Sequence, residues 1–389
     1  MRSVELFAGA GGLAMGMSQA GFRHAVVVEW DRDSCKTLRH NQSLHADAVA
    51  EWPLFEGDAR AFDYGAVSDD IVVVSGGPPC QPFSMGGKAR GQLDERDMFP
   101  EAVRAVRELQ PKAFIFENVK GLMRESFSSY FEYIHLQLSH PEIMRKPQET
   151  WQGHRARLEG HHTAKGARAS YNVVYRLLNA ADYGVPQKRE RVFLVGFRSD
   201  LGAKWSFPEA THTEAALLRS QWVSGEYWER HGVAKRHRPE ASALLQDRVY
   251  RARDTPLFAT QPWATVRDAL HDLPDPERYP SNAVPNHAFN PGARSYPGHT
   301  GSPLDAPAKT LKAGDHGVPG GENMLARPDG SVRYFTVREA ARLQTFPDDF
   351  VLCGSWTEAM RQIGNAVPVR LAQTVAASVA ATLQMTGAR

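Results

Sequence analysis

One cysteine, one carboxylate and two arginines carry the chemistry that this chain is equipped to perform. Cys80 lies in Ser75-Gly76-Gly77-Pro78-Pro79-Cys80-Gln81-Pro82-Phe83-Ser84, just after the apolar run Ile71-Val72-Val73-Val74. A run of that kind reads as a buried parallel strand and puts the cysteine at the carboxyl edge of a sheet, where open α/β folds build their sites. Pro78 and Pro79 fix φ and stiffen the approach, so the sulfur is aimed. Alone, such a cysteine is more often a small buried core residue; its companions decide. Glu117 closes a second apolar run, Phe114-Ile115-Phe116, and would stand at the same sheet edge, with a helix-capping role as the alternative. Arg189 and Arg191, in Gly184-Val185-Pro186-Gln187-Lys188-Arg189-Glu190-Arg191, alternate by two and would face one side of an extended segment. By themselves they would pass for a solvated charged edge.

A second constellation suits an adenosine-containing ligand. Leu6-Phe7-Ala8-Gly9-Ala10-Gly11-Gly12-Leu13 follows the first apolar run and opens a helix. Glycines in that place are a weak sign of a dinucleotide-type turn. Ala25-Val26-Val27-Val28-Glu29 ends the next strand on an acid able to accept from two ribose hydroxyls, and Trp30 offers a flat face to an adenine ring. Asp58, after Gly57 and expected before the third strand, adds an acid suited to an adenine amino group. The competing account is a glycine turn with two helix-capping acids.

These residues need a sheet to hold them. Strands are predicted at Val4–Phe7, Ala25–Glu29, Ile71–Ser75, Ala113–Glu117, Val173–Leu178 and Arg191–Phe197, with a helix over Pro100–Leu109 whose Ala102, Val103, Val106 and Leu109 share a face. Strand–helix alternation points to an α/β fold with a doubly wound, mostly parallel sheet. Two segments interrupt it. Residues 127–169 are polar and carry His135, His140, His154, His161 and His162, read as loop and surface histidines rather than a metal site. Residues 199–330 are rich in Pro, Gly, Trp and Arg and show little periodicity, which returns at Val337–Phe346 and in a last helix, Val369–Met385. The layout divides into 1–198, an inserted smaller module at 199–330, and a closing part at 331–389.

Composition sets the outer limits. The chain has 389 residues, 42% hydrophobic and 23% charged, with a net charge of +2, so any nucleic-acid surface must be local. Cys35, Cys80 and Cys353 are far apart, which argues against a disulfide framework or zinc pair and for a reducing compartment. The amino terminus lacks signal-peptide architecture and no apolar run approaches membrane-spanning length. A cytoplasmic protein is expected.

Taken together and in this order, the segments FAGAGG, GGPPCQPFS, ENV, QKRER, the block Arg333–Phe350 and Gln362-Ile363-Gly364-Asn365-Ala366-Val367-Pro368 resemble the signatures of the DNA cytosine-5 methyltransferases. The resemblance covers about the first 198 and the last 60 residues. It implies a class I, Rossmann-like methyltransferase domain, S-adenosylmethionine as cofactor, double-stranded DNA as substrate, and a target-recognition domain at 199–330. It also implies a bacterial restriction-modification or solitary enzyme, monomeric on DNA and nucleoid-associated, with a separately encoded endonuclease as possible companion and no membrane. By the same resemblance Cys80 attacks carbon 6 of a flipped-out cytosine, Glu117 holds the ring at nitrogen 3 and the exocyclic amine, Arg191 supports Glu117 and the ring carbonyl, and Arg189 supports nearby backbone or phosphate. Phe7, Gly9, Gly11, Gly12, Glu29, Trp30, Asp58, Ala59, Pro79, Asn365 and Val367 would bind the cofactor. Gln81, Ser84, Lys88 and Arg90 would contact DNA, the last two on a Gly-rich loop suited to phosphates. Arg230, Lys235, Arg236, Arg238, Arg248, Arg251 and Arg253 form a basic stretch suited to phosphates, or a solvated face. Methylation of tRNA cytosine and an inactive DNA-binding homologue are the competing functions. The long recognition region disfavours the first, and the intact Cys80, Glu117 and Arg191 the second.

Overall fold

The β-branched run Ile71-Val72-Val73-Val74 is buried at every position and occupies the centre of a seven-stranded sheet. In the computed structural model, which describes residues 1–46, 49–67, 70–79, 97–164, 166, 168–254, 260–279, 283–313 and 321–387, the strands are β1 (Arg2–Leu6), β2 (Arg23–Glu29), β3 (Leu54–Glu56), β4 (Ile71–Gly76), β5 (Ala113–Val119), β6 (Tyr171–Asn179) and β7 (Glu190–Arg198). Their order is β3-β2-β1-β4-β5-β7-β6. The pairs β1/β2, β1/β4, β2/β3 and β4/β5 are parallel, while β7 runs antiparallel to β5. The order reverses between β1 and β4, the switch point at which such sheets open a crevice beyond their strand ends. The fold is the expected doubly wound α/β sheet, with the strand expected after Asp58 present as β4 and one short strand, β3, added before Gly57.

Helices α1 (Gly12–Gln19), α2 (Arg32–Ser43) and α3 (Phe99–Leu109) cover this sheet. Ala102, Val103, Ala105 and Val106 of α3 are buried, in keeping with their helical spacing. The polar 127–169 segment is not loop. It folds into α4 (Ser128–Ser139) and α5 (Trp151–His162), because Tyr130, Phe131, Tyr133, Ile134 and Leu138 supply a buried apolar face. His140 and His154 are buried and His135 is half-buried, so only His161 and His162 match the expected surface histidines. His154 is stitched in: Nε2 donates to the Ile143 carbonyl at 2.7 Å and Nδ1 accepts from the Tyr133 hydroxyl at 2.8 Å.

The chain divides into two compact units. The first comprises Met1–Leu178, Glu190–Pro208 and Ala372–Arg389, the second Asn179–Arg189 and Glu209–Leu371. The second unit contains α6 (Glu214–Trp222), α7 (Glu226–Arg230), α8 (Ala243–Asp254), α9 (Val266–Leu270), α10 (Val337–Leu343) and α11 (Trp356–Asn365). Two small sheets accompany them: β8 (His212–Thr213) with β9 (Gln261–Pro262), and β10 (Ser302–Pro303), β11 (Met324–Ala326) and β12 (Val332–Tyr334). Residues 331–371, grouped by sequence with the closing part of the chain, lie in this second unit; only from Ala372 onward does the terminus join the first.

The last helix, α12 (Val369–Met385), lies against α1. A Cβ added to Gly16 would stand 2.4 Å from Ala372 Cβ, so only glycine permits that approach. The stretch Trp356–Met385 is long and apolar enough for a membrane span by composition, unlike the expectation, but 67% of its most apolar window is buried inside the protein.

Candidate active site

Glu117 and Arg191 meet because β5 and β7 are antiparallel. Glu117 is paired with Phe193 and Val119 with Arg191, so the two side chains are diagonal neighbours on one face. Arg191 Nε lies 2.7 Å from Glu117 Oε1 in an ion pair whose side chains are only 11% and 8% exposed. Burial lowers the Arg191 pKa, and the Glu117 charge opposes that shift. A carboxylate held in this way can present its other oxygen to a ligand. A methyl on Gly77 would lie 3.4 Å from Glu117 Oε2, which puts that oxygen beside the segment leading to Cys80.

That segment is tied down on both sides. Gly76 ends β4 so close to β1 that a Cβ there would stand 2.5 Å from the Leu6 carbonyl oxygen. Asn118 Nδ2 donates to the Pro78 carbonyl at 2.9 Å, while Asn118 Oδ1 accepts from the Val119 amide at 2.9 Å. The Met98 amide donates to the Pro79 carbonyl at 3.4 Å. Cys80, Gln81, Ser84, Lys88 and Arg90 lie outside the described residues. Asn118 was not singled out in the sequence, although it stands in the same Glu117-Asn118-Val119 signature; its partner is a carbonyl forty positions away.

The glycine turn after β1 is bonded to a second buried acid, Glu29. Phe7 (φ 57°), Gly9 (φ 54°) and Gly11 (φ 88°) take left-handed conformations that turn the chain into α1. Glu29, buried at the end of β2, accepts from the Gly9 amide at 2.6 Å through Oε2, and from the Trp30 and Asp31 amides at 2.9 and 2.8 Å through Oε1. Burial raises the Glu29 pKa and the three amides pull it back. A Cβ on Gly9 would meet nothing within 4 Å, so space is open beside this carboxylate. Trp30 is 69% exposed and presents its indole. An acid with spare lone pairs, an open flank and an uncovered aromatic face fit the ribose and adenine of S-adenosylmethionine. Gly12 starts α1 and Ala59 is buried.

Asp58 is differently placed. It caps the single 3-10 turn Ala59–Ala61 by accepting from the Arg60 amide at 2.9 Å, and its Oδ2 receives Arg60 Nε and a terminal guanidinium nitrogen at 2.9 and 2.6 Å. Arg60 holds the Asp58 carboxyl below its usual range. An adenine amino group would share this carboxylate with Arg60.

The two arginines have separate partners. Arg189 is fully buried in the second unit and donates to the carbonyls of Leu311 at 2.9 Å, Gly364 at 2.6 Å and Ala366 at 2.9 Å. β7 begins only at Glu190, so strand alternation does not govern residue 189. Gln344 Nε2 donates to the Ile363 and Ala366 carbonyls at 2.7 and 3.2 Å. Together they fix the backbone around Asn365, which is exposed at the end of α11, and around buried Val367. In the basic stretch, Arg230 is paired with Asp268 at 2.6 Å and Arg248 with Glu214 at 2.5 Å. Lys235 and Arg236 lie on an exposed 3-10 turn.

A strand-order switch point, a glycine turn bonded to the buried Glu29 and a buried Glu–Arg pair beside a diproline are the features of a class I methyltransferase. The chain belongs to the C-5 cytosine-specific DNA methylases, whose family profile matches residues 1–141 and 162–381. It is 31% identical over 391 residues to the type II methyltransferase M.NgoMIV of Neisseria gonorrhoeae, covering 98% of each chain. It is also 31% identical over 385 residues to M.Eco47II of Escherichia coli, covering 97% of this chain and 78% of that one. Among solved structures it resembles a DNA modification methyltransferase encoded within an E. coli prophage (TM-score 0.57, 21% identity, 99% of each chain). It likewise resembles the Dnmt2 methyltransferase of S. pombe (TM-score 0.57, 16% identity, 99% of each chain). At those identities the structures establish the fold alone. The enzyme is a DNA cytosine-5 methyltransferase and uses S-adenosylmethionine as methyl donor.

Proposed function

We propose that this enzyme is the modification component of a type II restriction-modification system, methylating one cytosine within a specific duplex sequence through a covalent Cys80 adduct. The observation that carries the reading is the Arg191–Glu117 ion pair, 2.7 Å long and buried, beside the anchored Gly77-Pro78-Pro79 segment that leads into Cys80. Carbon 5 of cytosine is a weak nucleophile until carbon 6 gains a substituent. The Cys80 thiolate adds to carbon 6. Glu117, held by Arg191, binds nitrogen 3 and the exocyclic amine and favours protonation of the ring as charge builds there. Bound S-adenosylmethionine supplies the electrophilic methyl group. With carbon 5 methylated, loss of its proton expels Cys80 and restores the ring double bond. Glu29, Gly9 and Trp30 orient the adenosine half, and Arg189 is a positioning residue for the backbone around Asn365.

Inside a duplex the reacting carbons are covered, so the cytosine is flipped out. Lys88 and Arg90 serve phosphates flanking it, and Gln81 and Ser84 also contact the DNA. The 199–330 region reads the target sequence, with Lys235 and Arg236 as phosphate contacts. The enzyme works as a monomer on DNA in the bacterial or archaeal cytosol, where a separately encoded endonuclease cleaves the same sequence when it is unmethylated.

Transfer of labelled methyl from S-adenosylmethionine to duplex DNA, with RNA as rival acceptor and Cys80→Ala as control, tests the reading. DNA labelling that disappears in the variant, and a trapped adduct on DNA containing 5-fluorocytosine, are expected. Labelling by Cys80→Ala would exclude the covalent route, and preferential labelling of RNA would exclude the DNA assignment. Bisulfite sequencing of a host genome expressing the enzyme reads out the target, and resistance of that DNA to the companion nuclease tests the restriction role.

A further inference from the structure

The family profile leaves residues 142–161 unmatched. At the base of that inserted stretch stand four polar groups that the methyl-transfer reading does not use. His140 caps the end of α4, Glu142 follows in the turn, and His161 and His162 are on the last turn of α5. His140, Glu142 and His161 each bring a ligand atom within 4.8 Å of the others. The His140 side chain has no exposure, whereas Glu142 is 49% exposed. His140 Nε2 lies 2.9 Å from His162 Nδ1. His140 Nδ1, also buried, has no hydrogen-bond partner among the described residues, with Glu142 Oε1 3.6 Å away. The other Glu142 oxygen, Oε2, accepts from Ser170 Oγ at 2.9 Å. The rings of His140 and His161 meet edge to face with centroids 4.9 Å apart.

If Nε2 of His140 donates to His162, Nδ1 turns a lone pair toward a carboxylate oxygen and the neighbouring imidazole. A buried nitrogen lone pair facing a carboxylate with no donor between them is costly, and a cation relieves it. Two imidazoles and one carboxylate are the donor set of a borderline transition metal; calcium and magnesium prefer all-oxygen cages. A ligating histidine almost always spends its other nitrogen on an orienting hydrogen bond, the part His162 plays here.

We infer that His140, Glu142 and His161 form a binding site for one divalent transition metal of the zinc class, oriented through His162, which clips together the two ends of the inserted 142–161 segment. Glu142 and His161 are the first and last residues of that stretch, so one ion joins its ends and removes loop freedom from the unfolded chain. Water completes the coordination on the exposed side. This reverses the sequence-based expectation of mere surface histidines, and it does not depend on how methyl transfer proceeds.

The test uses the full chain after removal of metals with EDTA, titrated with ZnCl2 by calorimetry and followed by thermal unfolding. One zinc per chain and a raised Tm are expected. His161→Ala and Glu142→Gln should each weaken zinc at least tenfold, and His162→Ala should weaken it roughly tenfold to hundredfold. Both ligand substitutions fall on exposed side chains, so they remain informative if His140→Ala does not fold. Co2+ should give visible d–d bands without a thiolate charge-transfer band, which separates this site from Cys80. Absence of zinc binding, binding unaffected by His161→Ala and Glu142→Gln, or a thiolate band would each overturn the inference.

Discussion

Asn118 Nδ2 donates to the Pro78 carbonyl at 2.9 Å, tying the strand that bears Glu117 to the diproline that precedes Cys80. The carboxylate proposed to hold the target cytosine and the proposed nucleophile are therefore registered through one buried amide. Asn118→Ala should lower kcat roughly tenfold to hundredfold, the rate equivalent of about 1.4–3 kcal/mol for a lost buried hydrogen bond. The KM for S-adenosylmethionine should scarcely move, since the Glu29 pocket is untouched. Steady-state kinetics with each substrate varied, together with the yield of 5-fluorocytosine adduct, checks it.

The Arg191–Glu117 pair supports a double substitution. Glu117→Gln should cost about 10²–10⁴-fold in kcat if the carboxylate manages proton position on the ring. Arg191→Met leaves a buried carboxylate alone and should destabilise the fold by about 3 kcal/mol. The combined variant should regain much of that stability while remaining inactive. Urea unfolding of the three variants, alongside methyl transfer, measures both halves.

Glu5 supplies a pH signature. It is fully buried on β1, accepts from the Ser75 hydroxyl on β4, and has its pKa pushed by burial up to about 8 from an ordinary 4.5. Between those values the unfolded chain releases its proton and the folded one retains it, so stability falls as pH rises through that window. Glu5→Gln should remove this slope and be about 3 kcal/mol more stable than the parent at pH 7. His24, pushed by burial down to about 4 from 6.5, acts oppositely: its contribution is lost as pH falls through that interval. Urea unfolding of parent and Glu5→Gln from pH 5 to 8 isolates the carboxyl term.

Arg189 should behave as part of the scaffold. Arg189→Met strips donors from the Leu311, Gly364 and Ala366 carbonyls. A loss of about 3 kcal/mol or more is expected for a buried, charge-assisted set. Arg189→Lys should recover little, because one ammonium lacks the planar fork that reaches separate carbonyls. Thermal unfolding of both variants provides the measurement.

Much of the sheet was legible because β2, β4, β5 and β7 carry runs of three or more apolar residues buried on both faces, whereas β1 hides Ser3 and Glu5 among its buried positions. Strand β3 was missed: Leu54–Glu56 is three residues at an edge, too short for periodicity to declare. Helices α4 and α5 were hidden by histidine, whose polar tip masks an apolar body until a partner such as the Ile143 carbonyl accepts its N–H. Glu29, Trp30 and Glu117 could be named from residue type and place at strand ends. The Asp58–Arg60 pairing and the Asn118–Pro78 bond could not, since each depends on backbone geometry that no spacing encodes. The same holds for Arg189 and Arg191, whose two-residue spacing suggested one face although a strand boundary falls between them.

The contact of Gly16 with Ala372 has a bearing on biosynthesis. The helix that follows the first strand is completed by packing that comes from the final one, after the whole second unit has been made. A nascent chain therefore leaves the ribosome with the seat on α1 unfilled until the segment around residue 372 has been made. The first unit cannot close on α1 until most of the second has been made, and a ribosome stalled before residue 372 would hold an α/β sheet lacking that cover.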